Sequence, residues 1–292
     1  MSKKNCLNWL VLLLVVLASV YFYSCAKVVP KEINWAANFE EASKASQSQN
    51  KNMVLEFYTD WCKWCKKLND STFTDTSVIR FSMDFIFFKT NAEKDTALAE
   101  KYQVNGYPTI ILTTPSGEEI DRIVGYLAAP EFITELKDYL KGEGTLVDLE
   151  NKLKTDANNI ALWFRVGEKY HERRRFNEAI FNFQKVISLD PKDEMKKASE
   201  ALFNIGLVHM RQKEYPKAIE LFQKLLKDYP ESELKLDAEE YIPYSYEKMN
   251  DTTKALTLYK KILKDNPNIA ASEKEWIEGR INKLEGKEEV KK

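Results

Sequence analysis

Two cysteines two residues apart, in Trp61-Cys62-Lys63-Trp64-Cys65-Lys66, stand between a strand-forming run and a helix-competent segment. The run is Met53-Val54-Leu55-Glu56-Phe57-Tyr58 and the segment is Lys66-Lys67-Leu68. This junction restricts the chain to a strand, a tight turn and a helix that begins at the first thiol. Unpaired amides and the helix dipole favour a thiolate at that position. Lys63, Lys66 and Lys67 add positive charge in the same direction. The second thiol is close enough to close a disulfide and release a bound partner. A structural zinc site needs four ligands. Only Cys6 and Cys25, near the N-terminus, and the distant His171 and His209 are left to supply them, so no metal is expected. An inert structural bridge is the other reading, but small-loop bridges of this kind are usually labile.

Three segments carry a family likeness: Leu55-Glu56-Phe57-Tyr58-Thr59-Asp60-Trp61-Cys62, then Ser71-Thr72-Phe73-Thr74-Asp75, then Val104-Asn105-Gly106-Tyr107-Pro108-Thr109. Through them, residues 32–140 resemble the thioredoxin superfamily, in particular the C-terminal thioredoxin-like domain of the bacterial transmembrane thiol:disulfide interchange reductase and its soluble relatives. The resemblance implies dithiol–disulfide exchange at Cys62 and Cys65, with no cofactor. It also implies a cis bond before Pro108, in a loop with Tyr107 that packs beside the dithiol and offers backbone groups to an extended substrate. An ordinary strand-entry proline is the alternative.

Lys63 and Trp64 replace the Gly-Pro of thioredoxins and the Pro-His of strong oxidants, and the intervening pair tunes the redox potential. Trp64, like Trp61 a supporting residue, either forms an apolar contact surface for substrate or simply packs. Glu56 interrupts a run that otherwise reads as a central strand, where an acid is costly without a partner or a task. One reading is a general base with a raised pKa that takes the proton from Cys65. Lys89 matches a lysine that accompanies this acid in thioredoxins, so the other reading is a Glu56–Lys89 ion pair with no catalytic role.

The rest of this half fits an α/β sandwich. Trp35 to Ser48 reads as an opening segment and helix, Phe85–Phe88 and Thr109–Thr113 as strands, and Pro115-Ser116-Gly117-Glu118 as a turn into a strand over Ile120–Val124. Phe132, Leu136 and Leu140 give the apolar face of a closing helix. Beyond Gly142-Glu143-Gly144 the pattern is helical, and a unit recurs three times. The first contains Gly167, Ala179, Phe183 and Pro191; the second Gly206, Ala218, Phe222 and Pro230; the third Ala255, Tyr259 and Pro267. Their offsets resemble the tetratricopeptide repeat (TPR), a binding module. Pro243 replaces the small residue in the third unit and should kink its first helix. Leu146, Leu149 and Leu153 suggest a lead-in helix, and Ala270 to Leu284 a capping one. Phe164, Phe203, Leu207, Met210 and Tyr244 are expected to line a partner groove, or else to pack inside the array.

The expected fold is thus an α/β thioredoxin domain over 26–141 and an all-α TPR solenoid over 145–286. A leader occupies 1–25 and a tail 287–292. Lys3-Lys4 and the apolar run from Leu10 to Val20 read as an export signal. Three fates are open: lipidation of Cys25, cleavage after Ala26, or an uncleaved anchor. Each puts the folded part in a bacterial envelope, facing the periplasm, where disulfide chemistry belongs. With 44 Lys and Arg interspersed among 45 Asp and Glu, no nucleic-acid partner is expected. The resulting reading is an envelope thiol:disulfide oxidoreductase, reductase or isomerase, acting on protein thiols and disulfides. It would draw electrons from a membrane donor and recruit a partner through its repeats. The rivals are a non-catalytic assembly adaptor and a dedicated apocytochrome thiol reductase.

Overall fold

The computed structural model describes residues 29–286. The leader with Cys25 and the tail from 287 lie outside the described residues. No helix among those described is long and apolar enough to cross a membrane.

The first half is built on a four-stranded mixed sheet in the order β2-β1-β3-β4. Its strands are β1 (Met53–Tyr58), β2 (Ile86–Asn91), β3 (Thr109–Thr113) and β4 (Glu119–Val124). β1 runs parallel to β2 and antiparallel to β3, and β3 pairs antiparallel with β4. Both faces of β1 are covered, which explains its nearly unbroken apolar run. On one face Val54, Phe87, Ile110 and Leu112 pack under Leu68, Phe132 and Leu136. On the other, Met53, Leu55 and Phe57 meet Ala42, Leu98 and Tyr102. Helix α1 (Phe39–Gln49) precedes the sheet. Short helices α2 (Lys63–Lys67), α3 (Thr76–Ser82) and α4 (Thr96–Lys101) connect the strands, and α5 (Ala129–Lys141) closes the domain. The core side of α5 is Phe132, Leu136 and Tyr139, whereas Leu140, expected on that face, is exposed. The phenol does better there because its hydroxyl donates to the Arg122 carbonyl at 3.1 Å while its ring is buried.

Helix α6 (Leu146–Thr155) leads into three helix pairs: α7 (Ile160–Glu172) with α8 (Phe176–Leu189), α9 (Lys197–Arg211) with α10 (Tyr215–Asp228), and α11 (Lys235–Lys248) with α12 (Thr252–Asp265). Helix α13 (Ala271–Leu284) caps the stack. The recurring glycines are sites of close approach. A Cβ on Gly167 would fall 2.7 Å from Phe183 Cε1, and one on Gly206 would fall 2.6 Å from Phe222 Cε1. Pro243 occupies the third such place, inside α11, which runs on past it to Lys248. The expected groove is largely core. Phe164 and Phe203 are buried against Phe183 and Phe222, at ring separations of 5.6 and 5.4 Å. Leu207 and Met210 are half-buried in the second repeat's core, and the Met210 sulfur accepts from Ser245 Oγ at 2.9 Å. Tyr244 is half-buried between Tyr241 and Trp276. A helix packed on two sides has more than one apolar stripe, so spacing alone does not tell groove from core.

The two halves meet along a polar seam that the sequence did not suggest. Gly142 and Gly144, at φ of 78° and 66°, turn the chain from α5 into α6. Asp121 on β4 is fully buried under α7. Its Oδ1 accepts from Lys169 Nζ at 2.7 Å and Arg173 Nη2 at 2.8 Å, and its Oδ2 accepts from the Leu146 amide at 2.7 Å. Arg122, also buried, donates to the carbonyls of Tyr102 and Glu172, one in each half. Asn105 Nδ2 donates to the His171 carbonyl at 3.1 Å.

Candidate functional site

Cys62 is the N-cap of α2, and its sulfur accepts from the Cys65 amide at 3.0 Å. The two residues are disulfide-bonded, with Cα atoms 5.2 Å apart. An amide donor aimed at that sulfur is an arrangement that favours a thiolate there on reduction. A π-helical turn, Leu68–Thr72, extends α2 and brings Asn69 one turn beyond Cys65. Both sulfurs are shielded, and the rim around them is aromatic. Trp61 is 67% exposed and Trp64 56%. Trp61 donates to Glu93 Oε1 at 2.9 Å and meets Tyr107 edge-on at 5.9 Å. Trp64 stacks on Tyr126 at 5.9 Å, with Lys67 Nζ 4.5 Å from the Tyr126 ring. Lys63 and Lys66 are exposed beside the dithiol.

The Tyr107–Pro108 bond is cis. Pro108 is buried, its carbonyl accepts from the Gly125 amide at 2.8 Å, and Tyr107 is half-buried at the rim. Two exposed tryptophans, Trp61 and Trp64, thus stand beside shielded sulfurs, with Tyr107 packed against Trp61.

Glu56 is fully buried on the face of β1 that lies under α2. Its neighbour across the parallel ladder is Lys89, but the two form no ion pair at hydrogen-bonding distance. Asn69 stands between them. Its Nδ2 donates to Glu56 Oε1 and to the Cys65 carbonyl, both at 3.0 Å, and its Oδ1 accepts from Lys89 Nζ at 3.0 Å. Lys89 also lies over the Trp35 ring at 4.5 Å. Glu56 Oε2 has no hydrogen-bond partner among the described residues. Burial pushes the Glu56 carboxyl up to about 7, against the pull of Lys89 and the Asn69 hydrogen bond. Such a group takes or gives a proton near neutral pH, which a dithiol exchange requires. Sequence reasoning placed Glu56 and Lys89 together and missed Asn69. The available signal was its spacing of four from Cys65, which puts both on one face of a helix.

Comparison with known proteins agrees with this architecture. A thioredoxin-like domain profile matches residues 39–140, and tetratricopeptide repeat profiles match 160–193, 200–232 and 244–268. The thiol:disulfide interchange protein DsbD of Salmonella typhimurium is 32% identical over 126 residues, covering 40% of this chain and 22% of that protein. DsbD of Tatumella citrea is 34% identical over 98 residues, covering 32% and 17%. The chain thus spans about a fifth of the length of these curated relatives. Among solved structures, a thioredoxin from Thermus thermophilus is 24% identical, covering 39% of this chain and 95% of that one, with a TM-score of 0.35.

Proposed function

We propose, for a chain that joins a redox-disulfide thioredoxin-like domain to tetratricopeptide repeats, that it is a bacterial envelope thiol:disulfide oxidoreductase working as a reductase or isomerase on protein substrates. The observation that carries this reading is the Cys62–Cys65 disulfide at a helix N-terminus, above a buried carboxyl that titrates near neutrality. In the reducing direction the Cys62 thiolate attacks one sulfur of a substrate disulfide. A mixed disulfide forms and the other substrate sulfur leaves as a thiolate. Cys65 then loses its proton to the Glu56 carboxylate and attacks the Cys62 sulfur. The second substrate sulfur leaves, and the Cys62–Cys65 disulfide forms. Two electrons have passed from the dithiol to the substrate, so a membrane dithiol donor must restore the reduced pair. The cis-proline loop, with Tyr107 and Trp61, seats the substrate, and the repeats recruit a protein partner. Membrane attachment is through lipid on Cys25 or through an uncleaved anchor.

The test is a trapping experiment. Cys65→Ala should leave a nucleophile that cannot be resolved, so mixed disulfides with envelope proteins accumulate through Cys62. Cys62→Ala should trap nothing. Equal trapping by both variants, or by neither, overturns the division of roles. An adaptor without catalysis would retain its partners when both cysteines are replaced and show no exchange in the unaltered chain.

A further inference from the structure

Glu56 and Lys89 are direct neighbours on adjacent parallel strands, whose backbones run roughly 5 Å apart. Two opposite charges in that arrangement, inside a protein, attract strongly enough to form a direct contact unless something intervenes. Here an amide intervenes. Asn69 can satisfy this place in one orientation only: its NH₂ faces two acceptors, Glu56 Oε1 and the Cys65 carbonyl, and its oxygen faces the Lys89 ammonium. We propose that Asn69 is a positioning residue that holds the Lys89 ammonium off the Glu56 carboxyl while tying that carboxyl to the helix turn bearing Cys65. This rests on the oxidoreductase reading for its purpose, though not for its test.

The surroundings of Glu56 make the spacer effective. β3 places apolar Ile110 opposite it, α2 supplies Cys65, and Lys89 on β2 is the charged group whose field reaches it. One amide therefore stands between a carboxyl poised to exchange a proton and the same carboxyl locked in an ion pair. A direct lysine contact would stabilise the carboxylate and lower its pKa by roughly one to three units. The lost amide hydrogen bond would act in the opposite direction and more weakly, being a bond from a neutral donor. The ion pair should win.

The experiment is a carbon-13 NMR titration of the Glu56 carboxyl in the oxidised full chain, with the signal assigned through Glu56→Gln. Working on the disulfide form makes the readout independent of turnover. Asn69→Leu frees Lys89 and should move the titration midpoint down by about one pH unit or more. Asn69→Asp keeps an acceptor for Lys89 but adds a like charge, and should move the midpoint up by about one unit. Adding Lys89→Met to Asn69→Leu should abolish the downward shift. The pH–rate profile of dithiol exchange should follow the same displacements. A midpoint that stays put or rises in Asn69→Leu overturns the proposal, whatever the exchange assay reads. If Asn69→Leu does not fold, Asn69→Ser, which withdraws from Lys89 without adding bulk, decides on the same criterion. If the unaltered chain exchanges no disulfides but the midpoints move as stated, the oxidoreductase reading fails and the spacer stands.

Discussion

Glu56 and Asp121 are two fully buried carboxyls of one domain, and their surroundings drive them in opposite directions. At the centre of the sheet, Glu56 has a single hydrogen bond to one oxygen, none to the other, and a lysine kept at one remove. At the edge facing the repeats, both oxygens of Asp121 are bonded, by Lys169, Arg173 and the amides of Arg122 and Leu146. Burial raises Asp121 as well, but Lys169 and Arg173 more than reverse it and hold the carboxyl below the ordinary carboxylate range. The difference teaches that burial alone decides nothing. Completed pairing makes a charge structural, and withheld pairing leaves a proton free to move. Glu172 refines the point. Burial pushes it up to about 7 too, and its Oε2 lacks a hydrogen bond. It sits in the seam, bonded through its backbone to Arg122, and a raised carboxyl matters for exchange only where a thiol can use it.

The hardest way to break this contrast is to remove Asp121. Asp121→Ala strands two cations and two backbone amides, and should lower stability by about 3–5 kcal/mol. Calorimetry should show the loss as a melting temperature lowered for both halves, with exchange by the folded fraction intact. A loss below about 1 kcal/mol would mean that water replaces the carboxylate and that the seam is not desolvated.

Glu56→Gln should do the reverse. Exchange near pH 7 should slow by roughly tenfold or more, while stability rises. The sign follows from linkage. A carboxyl raised from 4.5 to about 7 in the folded state favours folding at low pH, and that contribution is lost as pH rises through about 7. The gain from Glu56→Gln, read by denaturant unfolding, should be absent below pH 4 and grow to about 1–3 kcal/mol by pH 8. Asp121 has the opposite slope: its contribution is present above the unfolded value near pH 4 and disappears as pH falls through the lower folded value. A gain from Glu56→Gln that does not vary with pH would show that Glu56 is already ionised across this range.

The smallest effect belongs to the seam's exposed rim. Arg174 and Glu100 pair at 2.8 Å across the two halves with both side chains largely in solvent. Arg174→Ala should change stability by less than about 1 kcal/mol, and salt should erase even that. A larger loss would place the boundary between structural and ornamental charge further out than the burial pattern does.

What could be read from the sequence follows the range of the forces involved. The strand, turn and helix around Cys62 are local, so spacing revealed them. The repeat positions Gly167, Gly206, Phe183 and Phe222 are periodic, so self-similarity revealed them. Glu56 stood out because an acid contradicts its apolar neighbours. Asn69 did not, because an amide on a short helix looks like any solvated residue until a buried carboxyl and a lysine are found on either side of it. Asp121 and Lys169 carried no signal of their own in the sequence, and only their tertiary meeting buries them. Phe164 and Phe203 stayed open between groove and core for the matching reason, and both are buried. Their apolar character was legible, but which neighbour covers them was not.

The seam has a metrical consequence. Because α7 is bolted to β4 through desolvated charge and to the Asn105 side chain through the His171 carbonyl, these bonds oppose a swing of the repeats about Gly142 and Gly144. Under the proposed function the stack would then act as a jig: a client held along it would meet the Cys62 sulfur at a set offset, and reach as well as sticking strength would select the cysteine that is attacked.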